Sequence, residues 1–232
     1  MKRMMFAAAM AACAAACTPP QSAEAPPPAE AERATASAEG LPAGEYRIDP
    51  SHASLVFRVN HLGFANYVAS FDTIDAQIEL DPANPAAASL EANIDVRSLD
   101  LPNPPPGFRD ELLGAQWFDA AAHPQMTYRS TRIEMTGADT ARIHGDLTLH
   151  GVTAPVVLDA RFNGGWAGIP PDPNARVGFS ATGSLSRTAF GMGYGTPPEG
   201  TTMGVFDTVE FGIEAEFIGP AWVNPDAAPS AP

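Results

Sequence analysis

Thiols are absent from all but the start of this chain. Its two cysteines are Cys13 and Cys17, so nothing after them offers a disulfide, a thiolate nucleophile or a cysteine metal ligand. Lysine is nearly missing too: Lys2 is the only one, the other basic residues are arginines scattered singly, and 27 acidic residues leave a formal net charge of −14. Without a basic patch to neutralise a run of phosphates, nucleic acid is excluded as a partner, and so is charge-driven docking on an anionic membrane. No Gly-x-Ser-x-Gly elbow appears, and no Gly-rich loop opens a helix after a strand. His52, His61, His123, His144 and His150 lie in separate segments without H-x-H or H-E-x-x-H spacing, so neither a metal nor a cofactor is expected.

Long apolar runs are confined to the front. Residues 4–16 follow the positive Met1-Lys2-Arg3 and end in three alanines before Cys17. This reads as an export signal over residues 1–16 with a lipoprotein cleavage site, shorter than the about 20 residues of a spanning helix. Cys17 then becomes the acylated first residue, and its acyl chains attach the protein to the membrane. Ordinary A-x-A cleavage to a soluble secreted form is the alternative. Thr18, rather than Asp, after Cys17 points to the outer membrane, on the periplasmic side. Residues 17–44 are rich in Ala, Pro and Glu and read as a disordered tether, as does the tail at 219–232, although Trp222 could dock back. One domain of ample size for a core remains, residues 45–218.

What fills that domain is alternation. Ile143, Gly145, Leu147 and Leu149 share one parity, and Arg142, His144, Asp146 and Thr148 the other; residues 90–97, 177–186 and 209–217 repeat the pattern. Such segments are strands with one dry face. Strands are expected at 45–49, 54–60, 71–80, 90–98, 126–135, 141–149, 155–162, 177–187 and 208–217, joined by short turns, which predicts an all-β, closed antiparallel barrel of about eight strands. Residues 108–118 place Phe108, Leu112, Leu113 and Trp117 at helical spacing after a proline run, so one short helix covers an end. The small inward residues Ala76, Ala92, Gly145, Ala160, Ala181, Gly183 and Ala215 either leave room for a guest or simply fit narrow barrel layers.

Four ordered motifs carry a resemblance. Residues 46–61, beginning Tyr46-Arg47-Ile48-Asp49-Pro50, residues 112–130 with His123-Pro124, residues 145–153 with His150-Gly151-Val152-Thr153, and residues 185–192 with Arg187 and Phe190-Gly191-Met192 resemble the YceI-like family of exported lipid-binding barrels. The resemblance implies a lipocalin-like barrel whose tunnel holds a polyisoprenoid or similar amphiphile, with no catalytic residues. Two departures bear on a strand bend and on the mouth: Ala69 stands where the family pattern favours glycine, and Pro102 to Gly107 form an unusual run ahead of the helix.

As ligand-binding candidates the sequence offers Phe57, Phe71, Trp117, Phe118, Phe179, Phe190 and Phe211 as tunnel lining, each equally at home as plain core. Arg187 and Arg109 are candidates for an anionic head group. His61 either meets a polar head or ties down the adjoining loop. The expected function is carriage of an isoprenoid or fatty-acyl lipid without catalysis. An envelope stress or scaffold protein with a solid barrel, and an enzyme on an apolar substrate, are the alternatives. Whether two barrels pair as a homodimer is left open.

Overall fold

The computed structural model describes residues 38–221, apart from 39 and 170; the leader, Cys17, Trp222 and nearly all of the expected tether and tail lie outside the described residues. Ten strands form: β1 (Gly44–His61), β2 (Ala65–Phe71), β3 (Ile74–Leu80), β4 (Ser89–Asp95), β5 (Leu99–Asp100), β6 (Gln125–Met135), β7 (Thr140–Leu149), β8 (Val152–Trp166), β9 (Asn174–Ser186) and β10 (Val205–Ala221). β10 pairs back onto β1, so β1, β3, β4, β6, β7, β8, β9 and β10 close a ring of eight antiparallel strands, and β2 with β5 extends the wall along β1. A single short helix, α1 (Phe108–Leu113), interrupts the β pattern between β5 and β6. Its Phe108 ring meets the Tyr67 ring edge-on at 6.3 Å, so the helix closes the barrel end where β2 and β5 form the wall. Among the described residues no helix is long and apolar enough to cross a membrane.

Several expected boundaries move, each for a local reason. β1 is one strand rather than two: a bulge absorbs residues 49–52, where the register with β10 jumps from Ile48 opposite Phe217 to Ala53 opposite Ala215. The expected 71–80 strand starts earlier and breaks at Asp72-Thr73, giving β2 and β3. The strand expected over 90–98 ends in a 3-10 turn at Val96–Ser98, because Asp95 Oδ1 accepts the Arg97 N–H at 2.9 Å. α1 stops at Gly114, so Trp117 and Phe118 sit in the turn after the helix. The domain also outruns 45–218: Leu41 is buried, Gly44 already pairs with Leu80, and β10 continues to Ala221.

Large rings laid over glycines hold the ends of the sheet together. Tyr46 is fully buried, donates its hydroxyl to the Pro42 carbonyl at 2.7 Å, and covers Gly219, where a Cβ would lie 2.2 Å from the ring. Tyr128 covers Gly145 in the same way and donates its hydroxyl to the Ile143 carbonyl at 3.0 Å. The β7–β8 turn takes positive φ at both His150 and Gly151, the twist a two-residue hairpin requires. A Cβ at Gly151 would meet the His123 ring at 2.5 Å, so the loop after α1 is clamped onto this turn.

On the wet face the lone arginines find acids directly across the strands. Arg58 meets Glu210 at 2.7 Å, Arg129 meets Glu91 at 2.5 Å and Arg142 meets Asp159 at 3.4 Å, each in register. Exposed pairs of this kind add at most about 1 kcal/mol each. At the β1 bulge, Asp49 accepts the Ser51 N–H and hydrogen-bonds His52 at 3.0 Å and Arg176 at 3.1 Å.

Truncating Tyr46 to Ala removes the ring that covers Gly219 and is expected to lower stability by about 3–5 kcal/mol, measured by denaturant unfolding. The bulge cluster sets a pH window. His52 and the Ser51 N–H hold the Asp49 carboxyl down at about 2 from 3.8, so its contribution is present above 3.8 and lost as pH falls toward 2. Asp49 raises the His52 imidazole above 6.5, so that contribution is complete below 6.5 and fades as pH rises through the folded-state value. Thermal unfolding followed over pH is therefore expected to lose stability on both sides of this window, and Asp49→Asn is expected to flatten both flanks.

Candidate functional site

The barrel is hollow. Its interior holds a cavity of about 770 Å³, inside the range of roughly 300–1,000 Å³ typical of small-molecule sites. The room comes from alanines facing one another across strands: Ala141 opposite Ala160 opposite Ala181 on β7, β8 and β9, and Ala76 opposite Ala92 on β3 and β4. All five line the cavity, as does Ala215. Gly145 and Gly183 do not leave room as their size suggested, because the Tyr128 and Phe211 rings lie over them.

Aromatic clusters bracket this alanine belt. Toward Gly44 and Phe217, Phe179 packs between Phe162 at 5.5 Å and Phe217 at 6.1 Å. At the helix end Phe57 stacks on Phe71 at 5.4 Å, and Phe71 meets Phe118 edge-on at 5.5 Å. Inward positions run from Phe179 to Arg187 along one strand, so at about 3.3 Å per residue the tunnel follows the wall for roughly 26 Å. Its lining reaches exposed residues at both ends, Met135 and Ala138 at one and His61 and Pro105 at the other.

Eight of the ten residues expected to bind ligand line the tunnel: Phe57, His61, Phe71, Trp117, Phe118, Phe179, Arg187 and Phe211. Two do not. Phe190 is buried at 1 % exposure in the core cluster that also holds Leu149 and Met192 but is not part of the lining, and its carbonyl lies 3.2 Å from His150 Nδ1. Arg109 spends its guanidinium on the Leu99 carbonyl at 2.8 Å and on the Arg97 carbonyl, bracing the loop ahead of α1, and is not part of the lining. Tyr67, Tyr128, Met126 and Met192 also line the tunnel and were not singled out from the sequence. Tyr67 was readable by extending the parity of Phe71 backward through Ala69, since Asn66, Val68 and Ser70 hold the opposite face.

Arg187 is the one charged residue buried in the lining among the described residues, at 4 % exposure. Its Nε donates to the Phe206 carbonyl at 3.0 Å, and one terminal nitrogen donates to the carbonyls of Tyr194 at 3.1 Å and Val205 at 2.9 Å. The guanidinium lies 5.3 Å from the Trp117 ring centroid. Burial pulls its pKa below the ordinary arginine value, and Asp207 pulls it back up. Burial likewise pushes the Tyr128 phenol up, leaving it a neutral hydroxyl.

A second cluster lies outside the tunnel. Asp49, His52 and Glu216 bring ligand-type atoms within 4.8 Å of one another, but the Arg176 guanidinium sits 3.1 Å from Asp49 and 3.9 Å from Glu216. It already supplies the cation that these carboxylates face.

A family model described as the YceI-like domain matches residues 46–217. Among curated relatives, a UPF0312 protein of Vibrio cholerae is 39 % identical over 153 residues, covering 65 % of this chain and 78 % of that protein. A UPF0312 protein of Pseudomonas syringae pv. tomato is 34 % identical over 171 residues, covering 72 % and 86 %. Of solved structures, Burkholderia cenocepacia BcnA superposes with a TM-score of 0.62 at 25 % identity, covering 73 % of this chain and 98 % of its own. A polyisoprenoid binding domain from Saccharophagus degradans shares the fold, with a TM-score of 0.55 at 13 % identity, covering 75 % and 98 %. With the matched segment spanning nearly the whole barrel, the chain belongs to the YceI-like family.

Proposed function

We propose that this protein binds and carries a long apolar lipid, a polyisoprenoid or an acyl chain of similar length, inside its barrel. The carrying observation is the tunnel, walled by alanine and aromatic side chains with Arg187, Asp139 and His61 as its only basic or acidic residues among those described. A chain shielded there leaves water at a gain of about 0.8 kcal/mol per methylene. A lipid that comes from a bilayer is already in an apolar medium, so transfer between bilayer and barrel is close to balanced, and loading and unloading both proceed. The polyisoprenoid-binding neighbour with the same fold supports this class of ligand.

The other two readings fit the interior less well. A scaffold with a solid barrel does not need facing alanines at its waist. An enzyme needs an acid and a base that meet, whereas Asp139 stands at the opposite end from Arg187 and faces Arg161 at 3.7 Å. The setting we propose is the periplasm, with the barrel tethered to the outer membrane through acylated Cys17; the apolar run and alanines ahead of Cys17 support it.

Mature protein purified from its native membranes is expected to release a stoichiometric isoprenoid or acyl lipid into organic solvent, read by mass spectrometry. Absence of such a lipid, together with no uptake of added chains, contradicts carriage. Ala181→Phe places a ring in the alanine belt and is expected to weaken long-chain uptake by at least about tenfold while the empty protein unfolds at the same temperature or higher. Cys17→Ala is expected to free the protein from the membrane fraction.

A further inference from the structure

The geometry points to a polar head-group site at the helix end of the tunnel, where Arg187, Trp117 and Tyr67 receive an anionic oxygen head, a carboxylate or a phosphate, carried by the bound chain. This inference rests on the carrier reading and adds the chemistry of the ligand's head and the direction in which the ligand lies.

Three buried side-chain polar atoms lack any hydrogen-bond partner among the described residues: Arg187 Nη1, Trp117 Nε1 and Tyr67 Oη. All three residues line the tunnel. Arg187 and Trp117 are neighbours, with the guanidinium carbon 5.3 Å from the indole centroid. Tyr67 belongs to the same end, opposite Val59 on β1 and packed against Phe108 of α1. Buried donors are nearly always satisfied, so three unsatisfied ones in a single apolar tunnel are a demand for acceptors.

The demand is for negative charge as well as for oxygen. Carbonyls of Phe206, Tyr194 and Val205 fix the rest of the guanidinium, which leaves the N–H groups of Nη1 as charged donors already held in place for an anionic oxygen. No carboxylate lies within ion-pair distance of Arg187 among the described residues. The acid whose charge acts on it, Asp207, accepts instead from Ser186 Oγ at 2.6 Å and from the Thr188 N–H at 2.8 Å. A buried cation whose counter-charge, Asp207, stands beyond ion-pair distance gains from an anion that arrives beside it. The opposite end shows no such set among the described residues: its one charged lining residue, Asp139, faces Arg161 at 3.7 Å, and Phe162, Phe179 and Phe217 present rings. The ligand therefore enters tail toward Phe217 and head toward Arg187.

The test uses three ligands with one chain, hexadecanoate, hexadecyl phosphate and hexadecanol, titrated at about pH 8 into the delipidated protein, with Trp117→Phe and Tyr67→Phe keeping an aromatic ring at each position while deleting the polar atom. The wild type is expected to bind at least one anion about tenfold or more tightly than the alcohol, and the two anion arms distinguish a fatty-acyl from a phosphorylated source. Each variant is expected to narrow that ratio severalfold, both affinities being measured on the same variant, and Arg187→Gln, where it folds, to abolish it. Equal affinity for all three ligands, or a preference untouched by both ring-preserving variants, overturns the head-group site and leaves carriage standing. Failure to bind any of the three overturns the carrier reading itself.

Discussion

Everything in this molecule depends on closing a ring of eight strands around side chains too small to fill it. An eight-stranded barrel is narrow enough for its own residues to pack solid. Here Ala141, Ala160 and Ala181 face one another across β7, β8 and β9, with Ala76 and Ala92 in the same relation on β3 and β4. Replacing a buried leucine by alanine commonly costs about 2–5 kcal/mol, so such a waist forgoes core stability at each position. The chain offsets this where Tyr46 and Tyr128 lie over glycines and anchor their hydroxyls on backbone carbonyls, and where aromatic clusters supply dense packing on either side of the waist.

The same closure explains the surface and the cap. A one-residue slip would turn every inward side chain outward, and Arg58, Arg129 and Arg142, each opposite an acid on the next strand, add register specificity. At the helix end the wall passes from the ring strands to the short β2 and β5, and α1 with Trp117 and Phe118 closes over them. The His150–Gly151 turn, the His123 ring above it and the Phe190 carbonyl beside His150 bind this cap to the barrel. The motifs at 145–153 and 185–192 thus serve the cap as well as the wall, and Leu185, Arg187 and Met192 of the later motif line the tunnel.

Alternation made the barrel legible, since parity along a strand is a local property that tertiary contacts rarely reverse. It identified the dry face correctly for Ile143, Leu147 and Leu149, and for Phe179, Ala181 and Leu185, all of which line the tunnel. What escaped was non-local. The bulge at Asp49 joins two segments that Pro50 seemed to separate, because Arg176 from a distant strand holds its carboxylate. Gly145 and Gly183 suggested space, but cross-strand rings occupy it, and nothing in either segment alone announces the neighbour. Arg109 and Phe190 sat beside tunnel residues in sequence yet point into loop and core, since a helix terminus and a 3-10 turn abandon the two-residue period. Tyr67 went unseen with β2, although its parity follows from Phe71.

In the function we propose, a hollow apolar barrel, an anchor at Cys17 and a cation at one end of the tunnel together serve to lift one chain out of a membrane, shield it and give it back. A crystal structure of the protein loaded with a long-chain lipid tests the central claim most directly. The account predicts continuous density threading the alanine belt between Phe217 and Trp117, with the belt residues in place. Density confined to the outer surface, or a belt collapsed so that Ala141, Ala160 and Ala181 touch the opposite wall, would contradict it.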